Sequence, residues 1–234
     1  MHLASVGVVL PAAGSGRRMG GAPKQTRQLG NAPVWVQSLR AFASHPHIEA
    51  LVVVVPEDGV LETRRQLDVH GLVADVVAGG DSRQASVGNG LAALPERVQW
   101  VLVHDAVRPF VSSMLISEVI AAARASGAAA PAVPVADTLR RADGDVFAET
   151  VSREGLWAMQ TPQAARRDLL EIAYARTGDA LATDEVGLLQ RAGVEVALVE
   201  GDTRNIKLTR AEDWETALAV WPGWQAAKRG SESS

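Results

Sequence analysis

The sequence predicts an α/β fold: a Rossmann-like sandwich with a mostly parallel sheet and one projecting β-hairpin arm. Three observations carry this reading. Short continuous apolar runs alternate with stretches of helical periodicity through the first 135 residues. The first of those runs empties into a glycine-rich loop, where doubly wound sheets bind ligands. The alternation is then interrupted once, by a charged segment with an Asp-Gly turn signal at its centre.

In chain order, strands are expected at Val6–Leu10, Ala50–Val55, Ala74–Val77, Val101–Val103 and Ala129–Val135. Each is apolar along its length rather than alternating, as a strand buried on both faces must be. Helices are expected between them, at Val34–Ala43, Leu61–Val69, Arg83–Leu94 and Met114–Ala125. The segment 137–153 reads as a hairpin turning near Asp143-Gly144, with charge on both faces and few core residues. A lone two-stranded ribbon is marginal in water, so one reading has a partner subunit cover it, and the other leaves it exposed on a monomer. Helices at Ala165–Ala175 and Asp184–Ala192, a strand at Val194–Val199 and a last helix around Ala211–Val220 follow. Residues 226–234 are polar, lack apolar anchors and are expected to be disordered.

At 234 residues the chain is large enough for a sizeable core and is read as one domain over 1–234. Its 47% hydrophobic and 21% charged residues are those of an ordinary globular protein. A net charge of -4 argues against nucleic-acid binding and requires any anion site to be a local cluster of cations. Without cysteine there is no disulfide, thiol nucleophile or thiolate metal site. The first apolar run has no basic region ahead of it and ends at Pro11, so it does not read as a secretory signal. No stretch is long and apolar enough to span a bilayer, and a cytoplasmic location is expected.

Chemistry concentrates at the expected strand ends. After the first strand, Ala12, Ala13, Gly14, Ser15 and Gly16 form a loop of small residues, with Arg17, Arg18 and Lys24 supplying positive charge. Such loops let backbone N–H groups close on a phosphate chain. The pattern fits neither a Walker loop, since Ala22 holds the lysine position, nor the dinucleotide fingerprint, since Met19 stands at the third glycine. A nucleoside triphosphate suits it best. Gly79-Gly80-Asp81-Ser82 opens onto a helix carrying Ser86; the glycines allow close approach to a flat base, although Asp81 or Ser82 could equally cap the helix. Asp105 ends an apolar strand, ahead of Ala106 and Arg108, and a carboxylate there can hold Mg²⁺ beside substrate phosphates. Arg108 could instead pair with Asp105 structurally. His104, on the apolar strand itself, reads as packed and is given no catalytic role. Arg153, Thr161, Thr183-Asp184-Glu185 and Asn205-Ile-Lys207 complete the polar inventory, with Thr183 and Asp184 also readable as a helix cap.

Taken together these motifs resemble the 2-C-methyl-D-erythritol 4-phosphate cytidylyltransferases of the non-mevalonate isoprenoid pathway. The ordered set runs from about Val8 to Asp213: Pro11-Ala-Ala-Gly-Ser-Gly-Arg-Arg-Met19, Pro23-Lys-Gln25, Gly79-Gly-Asp81, His104-Asp-Ala-Val-Arg-Pro109, Asp137-Thr138, Thr161-Pro-Gln163, Thr183-Asp-Glu185 and Asn205-Ile-Lys207. The first motif is widespread among nucleotidyltransferases; the ordered set is far more specific. The resemblance implies a nucleotidyltransferase sandwich and transfer of CMP from CTP to methylerythritol phosphate, releasing pyrophosphate. It implies that Arg18 and Lys24 stabilise the charged pentacoordinate phosphorus, and that Arg153 and Lys207 position the acceptor phosphate. Ala12 to Gly16, Gly80, Asp81, Ser86, Asp105 and Ala106 would bind CTP. Arg108, Thr138, Thr161 and Thr183 would join Arg153 and Lys207 at the acceptor, and Asp105 would lie at Mg²⁺. It further implies a homodimer in which the hairpin lends Thr138 and Arg153 to the neighbour's site. A pentitol phosphate such as ribitol 5-phosphate is the alternative acceptor, and a non-catalytic nucleotide-binding module the alternative role. Two positions depart from the family pattern: Thr26, where an aromatic usually follows Lys-Gln, and Ala211, where proline is usual.

Overall fold

Val6–Pro11 forms β1 at the centre of the sheet, with parallel neighbours on both sides: β4 (Ile48–Val55) and β6 (Trp100–Val103). The computed structural model describes residues 5–14, 24–177 and 182–232. Short β2 (Gln28–Leu29) and β3 (Ala32–Pro33) pair with each other and lead into α1 (Val34–Ala43). Beyond β4 come α2 (Val60–Val69), β5 (Asp75–Ala78), parallel to β4, and α3 (Arg83–Ala93). α4 (Ser113–Ser126) and β7 (Ala128–Pro134) follow β6. The hairpin strands are β8 (Leu139–Asp143) and β9 (Val146–Val151). Then come β10 (Trp157–Met159), β11 (Gln163–Arg166), α5 (Arg167–Thr177), α6 (Glu185–Arg191), β12 (Ala197–Glu200) and α7 (Ala211–Glu232).

Burial sorts the alternate residues of each central strand. Val8, Leu10, Val53 and Leu102 pack with α1, α2 and α4, whereas Val9, Val52, Val54 and Val103 pack with α3, α5 and α6. A third apolar cluster lies to one side, joining Leu29, Val34, Phe110 and Leu208 to Ala217 and Trp221 of α7. The helices start on capping side chains read easily from sequence. Ser82 accepts the N–H of Ala85, Ser112 that of Leu115, and Asp184 that of Gly187.

The sheet is parallel except for one lane. β11 runs antiparallel to both β6 and β7, and β10 is antiparallel to β7. Ala129 of β7 pairs with Ala164 and Ala197, and Ala132 with Met159 and Glu200. β10 and β11 therefore lie end to end along one edge of β7, with β12 on the other, and Gln160-Thr161-Pro162 interrupts the lane between them.

Three differences from the sequence reading have physical reasons. The helix expected from Ala165 begins at Arg167, because Gln163–Arg166 pair as a strand on both edges. Inter-strand pairing overrides the helix preference of two alanines. The last helix continues past Val220 to Glu232, so the tail expected to be disordered from 226 starts inside α7. Trp221 and Trp224 pack edge-on against Phe110, an anchor absent from a reading that stopped at Val220. Pro222 stands within that helix. The hairpin itself forms where expected, with Gly144 at φ 58 in the turn. It makes a separate two-stranded sheet whose Val146 and Phe147 are 71% and 79% exposed.

Candidate active site

Three loops at the carboxyl ends of β1, β5 and β6 converge on a cavity of about 450 Å³. Ala12, Ala13 and Gly14 come from the first, Gly80 and Asp81 from the second, Asp105 and Ala106 from the third. Lys24, Ser86 and Lys207 line the same space. Ser15, Gly16, Arg17 and Arg18 lie outside the described residues.

The first loop is held by a residue the sequence reading left without a role. Ala12 N–H continues the β1–β4 pairing by donating to the Val54 carbonyl at 2.7 Å. The buried Gln25 amide donates to the carbonyls of Ala12 and Gly14, both at 2.9 Å. Gln25 thus fastens the loop to the turn that carries Lys24. Its place directly after Lys24 in Pro23-Lys-Gln25 was the only signal available.

The second loop is pulled tight by Ser86. Its hydroxyl accepts from Gly80 N–H at 3.1 Å and lies 3.4 Å from the Gly80 carbonyl. A Cβ on Gly79 would sit 2.7 Å from that hydroxyl and 2.8 Å from Ala13 Cβ, so glycine is required where the two loops touch. The hydroxyl expected to face a base thus also shapes the loop, on the cavity wall. The cap is Ser82, which leaves Asp81 exposed at the cavity wall.

The third loop centres on Asp105, which faces three cations among the described residues. Lys207 Nζ is 2.9 Å away, Arg108 Nε 3.4 Å and Arg83 Nη2 3.7 Å. Burial alone would raise its pKa, but Lys207, Arg83 and Arg108 outweigh it and hold the carboxyl at about 2. Asp105 is a fixed anion at any working pH. Its backbone is held by a directed chain of hydrogen bonds. The Arg108 carbonyl can only accept, so His104 Nε2, 3.0 Å from it, carries the ring proton and Nδ1 is left as an acceptor. Thr161 donates its hydroxyl to Nδ1 at 3.0 Å and accepts Asp105 N–H at 3.1 Å. Burial lowers the His104 pKa to about 4, which keeps the imidazole neutral. The packed role read for His104 is the one observed.

Several expected substrate residues stand elsewhere. Arg108 is buried and each nitrogen is engaged: Nη1 with the Asn205 carbonyl at 2.7 Å, Nη2 with that of Met159 at 3.2 Å, and Nε with Asp105. The structural pairing with Asp105 is the one this geometry shows. Thr161 is buried in the hydrogen-bond chain, and its carbonyl accepts from Asn205 Nδ2 at 2.8 Å. Thr138 and Arg153 sit at the base of the hairpin, exposed and away from the cavity lining; Arg153 donates to the Ala136 carbonyl. Thr183 is exposed beside the α6 cap.

Arg83 and Glu185 were missed as site residues. Arg83 makes a bidentate pair with Glu185, at 2.8 and 2.9 Å, while lining the cavity. Burial works against its charge, but Glu185 and then Asp105 overcome this and raise its pKa. Arg83 follows a cap and Glu185 follows another, 102 residues on, so only the fold brings them together. Among the described residues there is no cluster of three His, Asp or Glu able to cage a metal ion.

Comparison with known proteins agrees on one family. The family model described as IspD, 2-C-methyl-D-erythritol 4-phosphate cytidylyltransferase, matches residues 6–221. A 2-C-methyl-D-erythritol 4-phosphate cytidylyltransferase of Salinibacter ruber is 50% identical over 94% of each chain. A bifunctional enzyme IspD/IspF of Desulfotalea psychrophila is 47% identical over 88% of this chain, which spans 54% of that longer protein. The crystal structure of the cytidylyltransferase from Thermus thermophilus superposes with a TM-score of 0.78 at 36% identity, covering 91% of this chain and 96% of that one.

Proposed function

We propose the following division of labour for a chain that belongs to the 2-C-methyl-D-erythritol 4-phosphate cytidylyltransferase family. The enzyme transfers CMP from CTP to the phosphate of 2-C-methyl-D-erythritol 4-phosphate, releasing pyrophosphate. The acceptor oxygen is already ionised and attacks the α-phosphorus in line, so no strong base is needed. What must be overcome is repulsion between two anions, which is a task for positioned cations.

Lys24, with Arg18 of the glycine-rich loop, stabilises charge on the reacting phosphorus. Lys207 and Arg153 hold the acceptor phosphate. Ala12 to Gly16, Gly80, Asp81 and Ala106 form the nucleotide cradle, with Ser86 and Gln25 shaping it from behind. Enzymes of this family generally use a divalent cation. Asp105, an ionised carboxylate lining the cavity, fits a cation coordinated largely by substrate phosphates, as Mg²⁺ commonly is. When bound, Mg²⁺ would draw electron density from the phosphate oxygens and favour attack. The observation that carries the reading is Lys24 and Lys207 lining one cavity with Asp105.

The chain acts as a homodimer in this reading, with the hairpin arm bringing Thr138 and Arg153 to the neighbour's cavity. Support comes from the arm's separate sheet and its exposed Val146 and Phe147, which a partner would cover. No helix among the described residues is long and apolar enough to cross a membrane.

The direct test is product identification by mass spectrometry after incubation with CTP, Mg²⁺ and the acceptor, comparing Lys24→Ala and Lys207→Ala. Each variant should lose about a hundredfold in kcat/KM, the value of one transition-state cation. Near-normal turnover removes that residue from the mechanism. Mixing Lys24→Ala with Arg153→Ala tests the shared site. Random re-pairing of subunits should restore about a quarter of wild-type activity, because half the dimers then carry one intact site of two. No recovery after verified exchange rejects the sharing.

A further inference from the structure

Lys24 sits in a segment with little internal support. Residues 24–33 include no aromatic side chain, and only Gln25, Leu29, Ala32 and Pro33 are buried. A 3-10 turn spans Lys24–Thr26, with a long 3.4 Å bond from Arg27 N–H to the Lys24 carbonyl. β2 and β3 then contribute only two residues each. On the inner side Gln25 ties the turn to the glycine-rich loop.

On the outer side the fastening comes from a different part of the chain. The Arg27 guanidinium lies over the indole of Trp214, 4.5 Å from the ring centroid. Both residues are half-buried, so the contact is shielded on one face. Trp214 stands in the first turn of α7, seven residues after Lys207. The chain between them is firmly held. Asp213 accepts the N–H groups of Thr209 and Arg210, both at 2.7 Å, and the Thr209 hydroxyl at 2.8 Å. Leu208 N–H donates to the Val107 carbonyl at 2.9 Å, two residues beyond Asp105. Leu208 is buried with Leu29, Phe110 and Trp221 in the third apolar cluster, which also takes in Trp214. The Arg27–Trp214 contact therefore joins the segment of Lys24 to the segment of Lys207, beside the packing of Leu29 with Leu208 in the third apolar cluster.

We infer that the Arg27–Trp214 contact is a positioning device, fixing Lys24 relative to Lys207 across the cavity. Neither partner lines the cavity. The two residues therefore act through the lysines rather than on the substrates. A guanidinium suits this role because it is planar, weakly hydrated and stacks flat on an indole, which a compact ammonium does not. The aromatic that Lys24's own segment lacks is supplied from α7. The contact by itself is a modest interaction, but a reacting group displaced by about 1 Å can lose on the order of a hundredfold in rate. Its loss should therefore show in turnover more than in binding.

The inference rests on Lys24 acting in catalysis, and the experiment separates the two claims. Arg27→Gln, Trp214→Leu, Trp214→Phe, the Arg27→Gln/Trp214→Leu double variant and Lys24→Ala are compared by steady-state kinetics with CTP, the acceptor and Mg²⁺, and by thermal unfolding. Arg27→Gln and Trp214→Leu should each lower kcat about tenfold, leaving KM for CTP within about twofold. The double variant should be no slower than the slower single, and Trp214→Phe, which keeps a ring face, should recover most of the rate. If the single effects multiply in the double variant, or Trp214→Phe is as slow as Trp214→Leu, the two residues act independently and the inference is overturned. It is equally overturned, with the role of Lys24 intact, if Lys24→Ala is inactive while both singles keep kcat within about twofold. Active Lys24→Ala instead removes the premise.

Discussion

Thr161→Val replaces one hydroxyl by a methyl at nearly constant volume, beneath the residue on which the cations of the site converge. The hydroxyl receives Asp105 N–H at 3.1 Å and donates to His104 Nδ1 at 3.0 Å. His104 is fully buried and Asp105 is 8% exposed, so water cannot readily substitute. Because His104 Nε2–H is committed to the Arg108 carbonyl, the ring cannot switch tautomer without breaking a second bond. Valine would strand one backbone donor and one ring acceptor. At about 1–3 kcal/mol for each of the two stranded buried groups, the loss is roughly 2–6 kcal/mol, a large part of the ~5–15 kcal/mol that holds a typical domain together. Thr161→Ser keeps the oxygen and should cost only about 1 kcal/mol for the missing methyl. Urea unfolding of the three proteins reads the difference, with KM for the acceptor measured alongside. A Thr161→Val protein within about 1 kcal/mol of wild type but with a strongly raised acceptor KM would refute the structural role. It would return Thr161 to direct substrate binding.

Acid should destabilise the protein in a defined window. Folded His104 titrates at about 4 against an ordinary 6.5, so between those values the unfolded chain binds more protons and stability falls as pH drops, by about 3 kcal/mol in all. Asp105, lowered to about 2, contributes stability above its ordinary 3.8 that is lost only further into acid, and His45, also lowered by burial, acts in the same direction as His104. His104→Gln should therefore flatten the dependence of Tm on pH between 6.5 and 4, and an unchanged slope would contradict this assignment. Gly79→Ala places a methyl within 2.8 Å of both Ser86 Oγ and Ala13 Cβ or closer. It should raise KM for CTP about tenfold and cost roughly 1–3 kcal/mol of stability; unchanged values in kinetics and unfolding would show that the loops do not need their close contact. Asp105→Asn should lower kcat/KM about a hundredfold and shift half-saturation to higher divalent-cation concentration, and activity titrated against Mg²⁺ at the wild-type half-saturation would dissociate Asp105 from the cation.

The part of the fold legible in the sequence was the part made of strand–helix repeats. Val8, Val9 and Leu10 must all be buried, and only a strand with helices on both faces allows that. The antiparallel lane was not legible. Gln163-Ala-Ala-Arg166 has no strand-like alternation, and it becomes a strand only because β6 and β7 each leave an edge beside it. The site divides in the same way. Glycines, a strand-end aspartate and lysines signal a phosphate loop locally, and Lys24, Asp81, Asp105 and Lys207 do line one cavity. The supporting residues are invisible at that range. Glu185 is needed only because it meets Arg83 across 102 residues, and Thr161 only because it meets His104 across 57. Arg108 shows the converse: its short distance in sequence from Asp105 suggested a structural pair, and that pair forms, but the carbonyls of Met159 and Asn205 that take up its other donors are distant in sequence.

That antiparallel lane also decides how the hairpin arm can serve catalysis. Gln163 at the start of β11 pairs with Val103 at the end of β6, so chain entering β11 arrives at the carboxyl end of the parallel strands, beside Asp105. β10 extends outward from there along Pro134, the last residue of β7, and the hairpin base lies beyond it. The arm therefore leaves the body from the end of the sheet that holds the cavity. Trp157 pairs with Pro134 and Ala164 with Ala129, so by the β7 register, at ~3.3 Å per residue, the two ends of the stretch from Trp157 to Ala164 lie about 16 Å apart. An arginine side chain of about 7 Å covers less than half of that span. Arg153 stands off the lining of its own cavity. If Arg153 takes part in the reaction, the mixed-subunit experiment tells whether it does so in its own cavity or in a second copy's.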